Sequence, residues 1–296
     1  MTGRPKTRIF VDGGDPDESK QVRDALGFLD GQTTNPTLVS KNPHIRERIG
    51  SGGKFSLDEL LDEYRKIVQD VSKLTPDGSI SIEVYADQDT TTEAMLAQGR
   101  EMFGWIPNAQ VKFPTTTAGL AAAEQAVADG IRVNLTLCFS QEQAAAVYAA
   151  TRGAKKGQVY VSPFVGRLDD RGEDGMSVVR NIIKMYRGGD GAPAGDGHVE
   201  LLTASIRHRA HLDYALALGS DIITAPAKIL LEWAADGAAI PDAGYKYDAK
   251  SDAGSLKPIP YRELDLSADW RSFDLHHDLT DAGIEKFSAD WNALLK

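Results

Sequence analysis

Short apolar runs alternate with helix-like stretches along most of the chain. The runs Arg8–Asp12, Phe28–Thr33, Ser79–Tyr85, Gln110–Phe113, Arg132–Phe139, Gln158–Ser162, His198–Thr203 and Asp221–Thr224 are mostly β-branched or apolar throughout, the pattern of strands covered on both faces. Between them, apolar residues recur at helical spacing. The clearest case follows Phe55-Ser56, where Leu57, Leu60, Leu61, Tyr64, Ile67, Val68, Val71 and Leu74 line one face. Ser56 with Glu59 is the signature of a capping box, in which serine and glutamate satisfy each other's backbone donors. Ser140-Gln141-Glu142-Gln143 opens another helix with the same signature. Ala121–Ala128, Met176–Tyr186, Ile206–Leu218 and Ala227–Ala235 supply more, and Thr280 reads as the cap of a last helix through Leu295. Repeated strand–helix alternation predicts a parallel sheet. The count fits an α/β protein with a closed (β/α)8 barrel in a single domain over residues 1–296, with 236–296 as a helical and irregular extension. A doubly wound open sheet is the alternative. Its dinucleotide-binding form calls for G-x-G-x-x-G after a strand, which the chain lacks.

Two stretches interrupt the rhythm. Gly188–Gly197 is rich in Gly, Pro and Asp but lacks the Lys-Ser/Thr ending of a phosphate-cradling P-loop, so it reads as a loop joining helix to strand. Asp236–Asp278 is long and weakly periodic, with Tyr245, Tyr247, Tyr261 and Trp270 among acidic turns. Such a segment is either a lid or an outer wrap, and surface packing is the expectation here.

Composition narrows the field. The 296 residues are 42% hydrophobic and 26% charged, with a net charge of −10. That balance disfavours nucleic acid and anionic membrane as partners; an anionic substrate needs its cations gathered locally. A single cysteine, Cys138, excludes an internal disulfide and a multi-cysteine zinc site. The start, MTGRPKTRIF, has no signal-peptide core, and no apolar run reaches the ~18 residues of a membrane span. A cytoplasmic location is expected, and a homo-oligomer is compatible with the sequence without being fixed by it.

One polar residue does not fit its run. Lys112 lies within Ala109-Gln110-Val111-Lys112-Phe113-Pro114. Desolvation disfavours the charged form of a buried lysine, and a neutral amine can attack a ketone to form a Schiff base. The plain alternative is a lysine whose head reaches water. In a parallel barrel, chemistry gathers at the carboxyl ends of the strands. Those ends carry Asp12, Asn35, Glu83, Lys112, Asn134 with Thr136, Ser162 followed by Arg167, and Ser205 with Arg207. Each has a bland reading: Asp12 as a turn before Gly13-Gly14, Asn35-Pro36 as a turn initiator, Glu83 as an outward residue, Ser205 as a helix cap. Together they would gather one amine, two carboxylates, two asparagines and two arginines at one mouth, where neighbouring charges push pKa values apart. Ser205, Arg207 and Arg167 suit a phosphate, by position and by the guanidinium fork.

These residues fall in motifs that resemble the transaldolases, Schiff-base-forming barrel enzymes: D-G-Q-T-T-N-P-T-L-V (30–39), S-I-E-V (81–84), V-K-F-P-T-T (111–116), N-L-T-L-C-F-S (134–140), S-P-F-V-G-R-L-D-D (162–170) and A-S-I-R (204–207). The resemblance implies that Lys112 forms the Schiff base with a ketose phosphate and that Asp12 is the general acid/base. It implies that Glu83 and Thr136 hold a catalytic water, that Asn35, Asn134 and Ser162 bind substrate, and that Arg167, Ser205 and Arg207 hold phosphate. It further implies transfer of a dihydroxyacetone unit from sedoheptulose 7-phosphate or fructose 6-phosphate to an aldose phosphate, in the pentose phosphate pathway, with no cofactor. No metal is expected: His208 and His211, and His276-His277, lack a ligand motif. One departure is Gly13-Gly14 after Asp12, where relatives carry Thr, expected to loosen the first loop. The alternatives are fructose 6-phosphate aldolase-type cleavage and a sugar-phosphate-binding barrel without catalysis. Glu83 and Phe164 favour the transferase, since the aldolase branch tends to carry Gln and Tyr there.

Overall fold

Each apolar run becomes a strand of one closed barrel. The computed structural model describes residues 4–188, 194–242, 244–251 and 254–296. In it β1 (Arg8–Asp12), β2 (Gly31–Thr33), β3 (Ser79–Glu83), β4 (Ala109–Pro114), β5 (Val133–Cys138), β6 (Val159–Pro163), β7 (Val199–Thr203) and β8 (Ile222–Ala225) pair in that order, and β8 closes on β1. All these pairings are parallel, and helices follow the strands to cover the outside. The open-sheet alternative is thereby excluded. β2 is shorter than the run Phe28–Thr33 suggested. The Asp30 carboxylate accepts the Ile9 amide at 2.9 Å, so a side chain takes a place in the ladder and strand pairing begins only at Gly31.

The helix after Ser56 spans Leu57–Leu74 with both halves of its capping box formed. At Ser140 only one half forms. Ser140 caps the Gln143 amide, but the Gln143 side chain accepts from Phe139 and donates to Thr280 Oγ1. The stretch Ile206–Leu218 yields a shorter helix, Arg209–Ala217, because Ser205 turns into the left-handed region at φ 59. The last helix is Asp278–Asn292, and its cap is His277, whose Nδ1 accepts from the Leu279 amide. Thr280 instead lies buried inside it and donates to the Leu137 carbonyl at 2.9 Å. The helices Pro16–Leu26, Pro43–Gly50 and Thr92–Phe103 went unread in the pattern, since each buries only one to four residues.

Hydrogen bonds that skip over a strand mark the residues pointing into the barrel. Arg8 on β1 reaches Glu200 on β7 at 2.7 Å and Tyr160 on β6 at 3.0 Å. Phe10 meets Tyr160 edge-on, with ring centroids 6.4 Å apart. This ion pair and these rings fill the amino end of the barrel. At the carboxyl end Thr33 on β2 bonds Thr224 on β8, and Asn134 on β5 bonds Ser81 on β3. Asp12, Glu83, Lys112, Thr136 and Ser162 share that inward face by register and alternation.

The segment after the helix Ala227–Ala235 wraps the outside, as expected. Asn181 donates to the Ile259 carbonyl, the Arg262 amide donates to Gln141, and Arg152 donates to the Leu266 carbonyl. Of the loop Gly188–Gly197, residues 189–193 lie outside the described residues. Among the described residues no helix is long and apolar enough to cross a membrane.

Candidate active site

β4 carries Lys112 into the barrel, only 3% exposed. Its surroundings differ from the apolar strand suggested by the run. Nζ donates to the Thr34 carbonyl at 2.8 Å and lies 2.6 Å from Glu83 Oε2. Register explains the second contact, because Glu83 on β3 sits directly beside Lys112. The outward reading of Glu83 is overturned: in a closed barrel its face of β3 points to the interior. Burial pushes the Glu83 carboxyl above its usual range, and Lys112 opposes the shift.

Asp12 ends β1. Its Oδ1 accepts from Thr33 Oγ1 at 2.7 Å, and that hydroxyl is 2.6 Å from Thr224 Oγ1. Burial raises this carboxyl too, against the pull of Lys112, Thr33 and Lys41. The loop after it is tied down. Gln32 donates to the Gly13 carbonyl and Asn42 to the Gly14 carbonyl, at 2.8 and 2.9 Å. A Cβ on Gly14 would stand 2.3 Å from the Leu38 carbonyl oxygen. The departure from Thr at this loop therefore brings close backbone contact rather than the expected loosening.

On the other side of the lysine, Ser162 donates to Asn134 Oδ1 at 2.7 Å, and Asn134 Nδ2 donates to Ser81 Oγ at 3.1 Å. Thr136, two residues after Asn134, is fully buried, and among the described residues its hydroxyl has no hydrogen-bond partner. Asn35 is both buried and a helix cap: its Oδ1 accepts from Leu38 at the start of Pro36–Val39, which leaves the amide NH₂ as a donor.

The predicted phosphate residues gather at the ends of β6 and β7. Phe164 pairs with Ala204, and the Gly166 amide donates to the Ser205 carbonyl at 3.0 Å. The two arginines are close enough that Arg207, after burial, is the next cause lowering the Arg167 pKa. Among the described residues no carboxylate forms an ion pair with Arg167, whose guanidinium lies over Phe164 and Phe287 at 5.9 and 5.4 Å. Arg207 is half exposed and pairs with Asp170 at 3.0 Å. Ser205 is not the helix cap; His208 holds that position.

Several contributors were not read from the sequence. Tyr64 counted only as an apolar helix position. Its hydroxyl accepts the Glu83 amide at 2.9 Å and bonds Thr34 Oγ1, which donates to the Ser81 carbonyl at 2.7 Å. That chain stitches β2 to β3 beneath the lysine. A tyrosine among the Leu and Ile of a buried helix face was the available signal. Thr33, Ser81 and Thr224 were unread as site groups, since one hydroxyl in a strand carries no signature. Asp169, His208 and His211 converge, with potential ligand atoms all within 4.8 Å of one another. Cys138 is buried, which pushes its thiol up to about 12.

The transaldolase/fructose 6-phosphate aldolase family model matches residues 9–296. The chain belongs to this family. A probable transaldolase of Dehalococcoides mccartyi is 32% identical over 289 residues, covering 98% of this chain and all of the relative. One of Anaeromyxobacter dehalogenans is 33% identical over 289 residues, covering 98% of each. A solved 3-hexulose-6-phosphate synthase from Salmonella typhimurium matches at 12% identity and a TM-score of 0.46, covering 78% of this chain and 98% of that one. The family resemblance read from the motifs thus holds along the full barrel and its last helix.

Proposed function

We propose that this transaldolase-family enzyme moves a dihydroxyacetone unit between sugar phosphates through a Schiff base on Lys112. The observation that carries the reading is the buried amine held between the Thr34 carbonyl and Glu83, inside a ring of hydroxyls and amides. Attack of Nζ on the ketose carbonyl and loss of water give a protonated imine. Asp12, at the opposite wall with a raised carboxyl, takes the hydroxyl proton as the carbon–carbon bond breaks. The imine absorbs the electron pair as an enamine, so cleavage proceeds through the lysine's own electron sink. Glu83 relays protons at the imine nitrogen, with the Thr136 hydroxyl placed to hold a water for that transfer. Asn134, Ser162 and the Asn35 amide bind substrate hydroxyls, and Arg167, Arg207 and Ser205 take the phosphate. Sedoheptulose 7-phosphate and fructose 6-phosphate are the donors proposed, and an aldose phosphate the acceptor, in the cytoplasm.

Borohydride reduction in the presence of fructose 6-phosphate tests this. The expected result is a covalent adduct at Lys112, absent in Lys112→Ala, and diminished when an aldose phosphate is added before the borohydride to discharge the unreduced intermediate. No adduct would leave a binding protein, and equal rates of transfer and free dihydroxyacetone release would move the chain to the aldolase branch.

A further inference from the structure

The loop that presents Ser205 and Arg207 is held in an unfavourable backbone shape. Ser205 has φ 59, a left-handed conformation that strains a non-glycine residue. Something must hold it, and two buried groups lie behind it. His211, fully buried, accepts the Arg207 backbone amide on Nδ1 at 3.3 Å. The other face of that imidazole meets Asp169, whose Oδ2 lies 2.7 Å from His211 Nε2. Asp169, itself 6% exposed, is fixed in turn because its Oδ1 accepts the Gly175 amide at 3.0 Å. The Arg207 N–H can only donate, so His211 Nδ1 must carry the lone pair and Nε2 the proton, close to the Asp169 carboxylate but off the line of a hydrogen bond to it.

That tautomer argues against the other reading of the cluster. A cation between Asp169, His208 and His211 would need the Nε2 lone pair, and the ring cannot offer lone pairs at both nitrogens while neutral. The rings of His208 and His211 also lie against each other, tilted by 38° with centroids 3.7 Å apart.

We propose that Asp169 and His211 are positioning residues that hold the Ser205–Arg207 loop in its phosphate-receiving shape through the backbone amide of Arg207. The assignment rests on the phosphate role proposed for Arg207. Neither residue touches substrate. Their effect falls on recognition of the phosphoryl group and leaves the chemistry at Lys112 alone. His211 stands between the loop, whose Arg207 amide it accepts, and the Asp169 carboxylate beside its Nε2, so replacing either half has a distinct consequence.

The test is a steady-state comparison of fructose 6-phosphate with unphosphorylated dihydroxyacetone as donor, with inorganic phosphate as a competitive inhibitor. His211→Gln keeps an amide toward Asp169 but removes the acceptor for Arg207. It is expected to raise KM for fructose 6-phosphate and Ki for phosphate about five- to tenfold, the worth of one buried hydrogen bond. Its kcat and its KM for dihydroxyacetone should stay within about twofold. His211→Asn, whose oxygen stands near the place of Nδ1, should restore most of the loss. Equal impairment by Asn and Gln, or an unchanged phosphate Ki in His211→Gln, would overturn the proposal in favour of simple core filling. Should His211→Gln fail to fold, Asp169→Asn is expected to show the same split, and its absence there would be equally fatal. Arg207→Ala separates the two levels. If it spares phosphate binding, the phosphate reading fails. If it abolishes phosphate binding while the His211 and Asp169 variants show no split, only the positioning proposal fails.

Discussion

A buried lysine 2.6 Å from one carboxylate and within electrostatic reach of another shapes the pH behaviour of the reaction. Burial raises both Asp12 and Glu83. A raised carboxyl holds its proton to higher pH than the usual value near 4, so the unprotonated Asp12 needed as base is lost earlier as pH falls. The acid limb of kcat/KM is therefore expected above the ordinary carboxylate range, and Asp12→Asn should abolish it together with most turnover. Stability runs the other way. The folded state binds this proton more tightly than the unfolded chain does, so the cost of Asp12 is absent below the unfolded pKa and grows as pH rises through the folded one. Asp12→Asn should thus melt above the wild type at pH 8, with the gap closing toward pH 4. A Tm gap that widens on acidification would contradict the burial argument. At this scale Lys112 was legible as a charge in an apolar run, and Asp12 and Glu83 as strand-end carboxylates. The Thr34 carbonyl and the Tyr64 hydroxyl were not, because which atom meets the lysine depends on strand register and on how a helix leans on the sheet.

Among the elements, the last helix is capped by His277 rather than by Thr280. It runs from Asp278 to Asn292 across the carboxyl end of the barrel. Thr280 bonds the Leu137 carbonyl, where β5 bulges and Leu137 takes φ 57, and Gln143 bonds Thr280 in turn. Thr37 on the short helix after β2 bonds Asp290. Gly283 lets the helix sit this low. A Cβ there would stand 2.6 Å from Leu137 Cδ2 and 3.1 Å from Arg167 Nη1. Gly283→Ala is expected to destabilise by about 1–3 kcal/mol through overpacking against Leu137 and to raise KM for phosphorylated substrates, since Arg167 is the next side chain in the way. Thermal denaturation and the KM for fructose 6-phosphate check both halves; a stabilised variant with unchanged KM would contradict this placement. Nothing in residues 278–292 announces a contact with Arg167. The helix was legible from Thr280 as a cap candidate, but its docking depends on a β-bulge that such a local signal does not encode.

For the molecule as a whole, strand–helix alternation pointed to a parallel sheet and the count of eight runs to a closed barrel, while the open sheet was excluded only by the pairing of β8 with β1. Boundaries shifted where side chains replaced backbone partners, as Asp30 does at β2. The site was legible in outline because barrel topology delivers strand ends to one place. Its supporting shell was not, since Asp169, His211, Ser81 and Thr224 became neighbours of the site only once the barrel closed. The amino end of that barrel has its own consequence. Arg8, Glu200, Tyr160 and Phe10 fill it, which among the described residues leaves the carboxyl end as the way in to the strand-end residues. The aldose released from the donor must leave by the opening through which the acceptor arrives, and the two cannot be accommodated in tandem along a through-channel. Turnover is therefore a sequence of separate visits. Initial rates at several fixed acceptor levels should give parallel double-reciprocal lines, with excess acceptor competing against the donor for the unloaded lysine. Lines that intersect would mean both sugars occupy the opening at once.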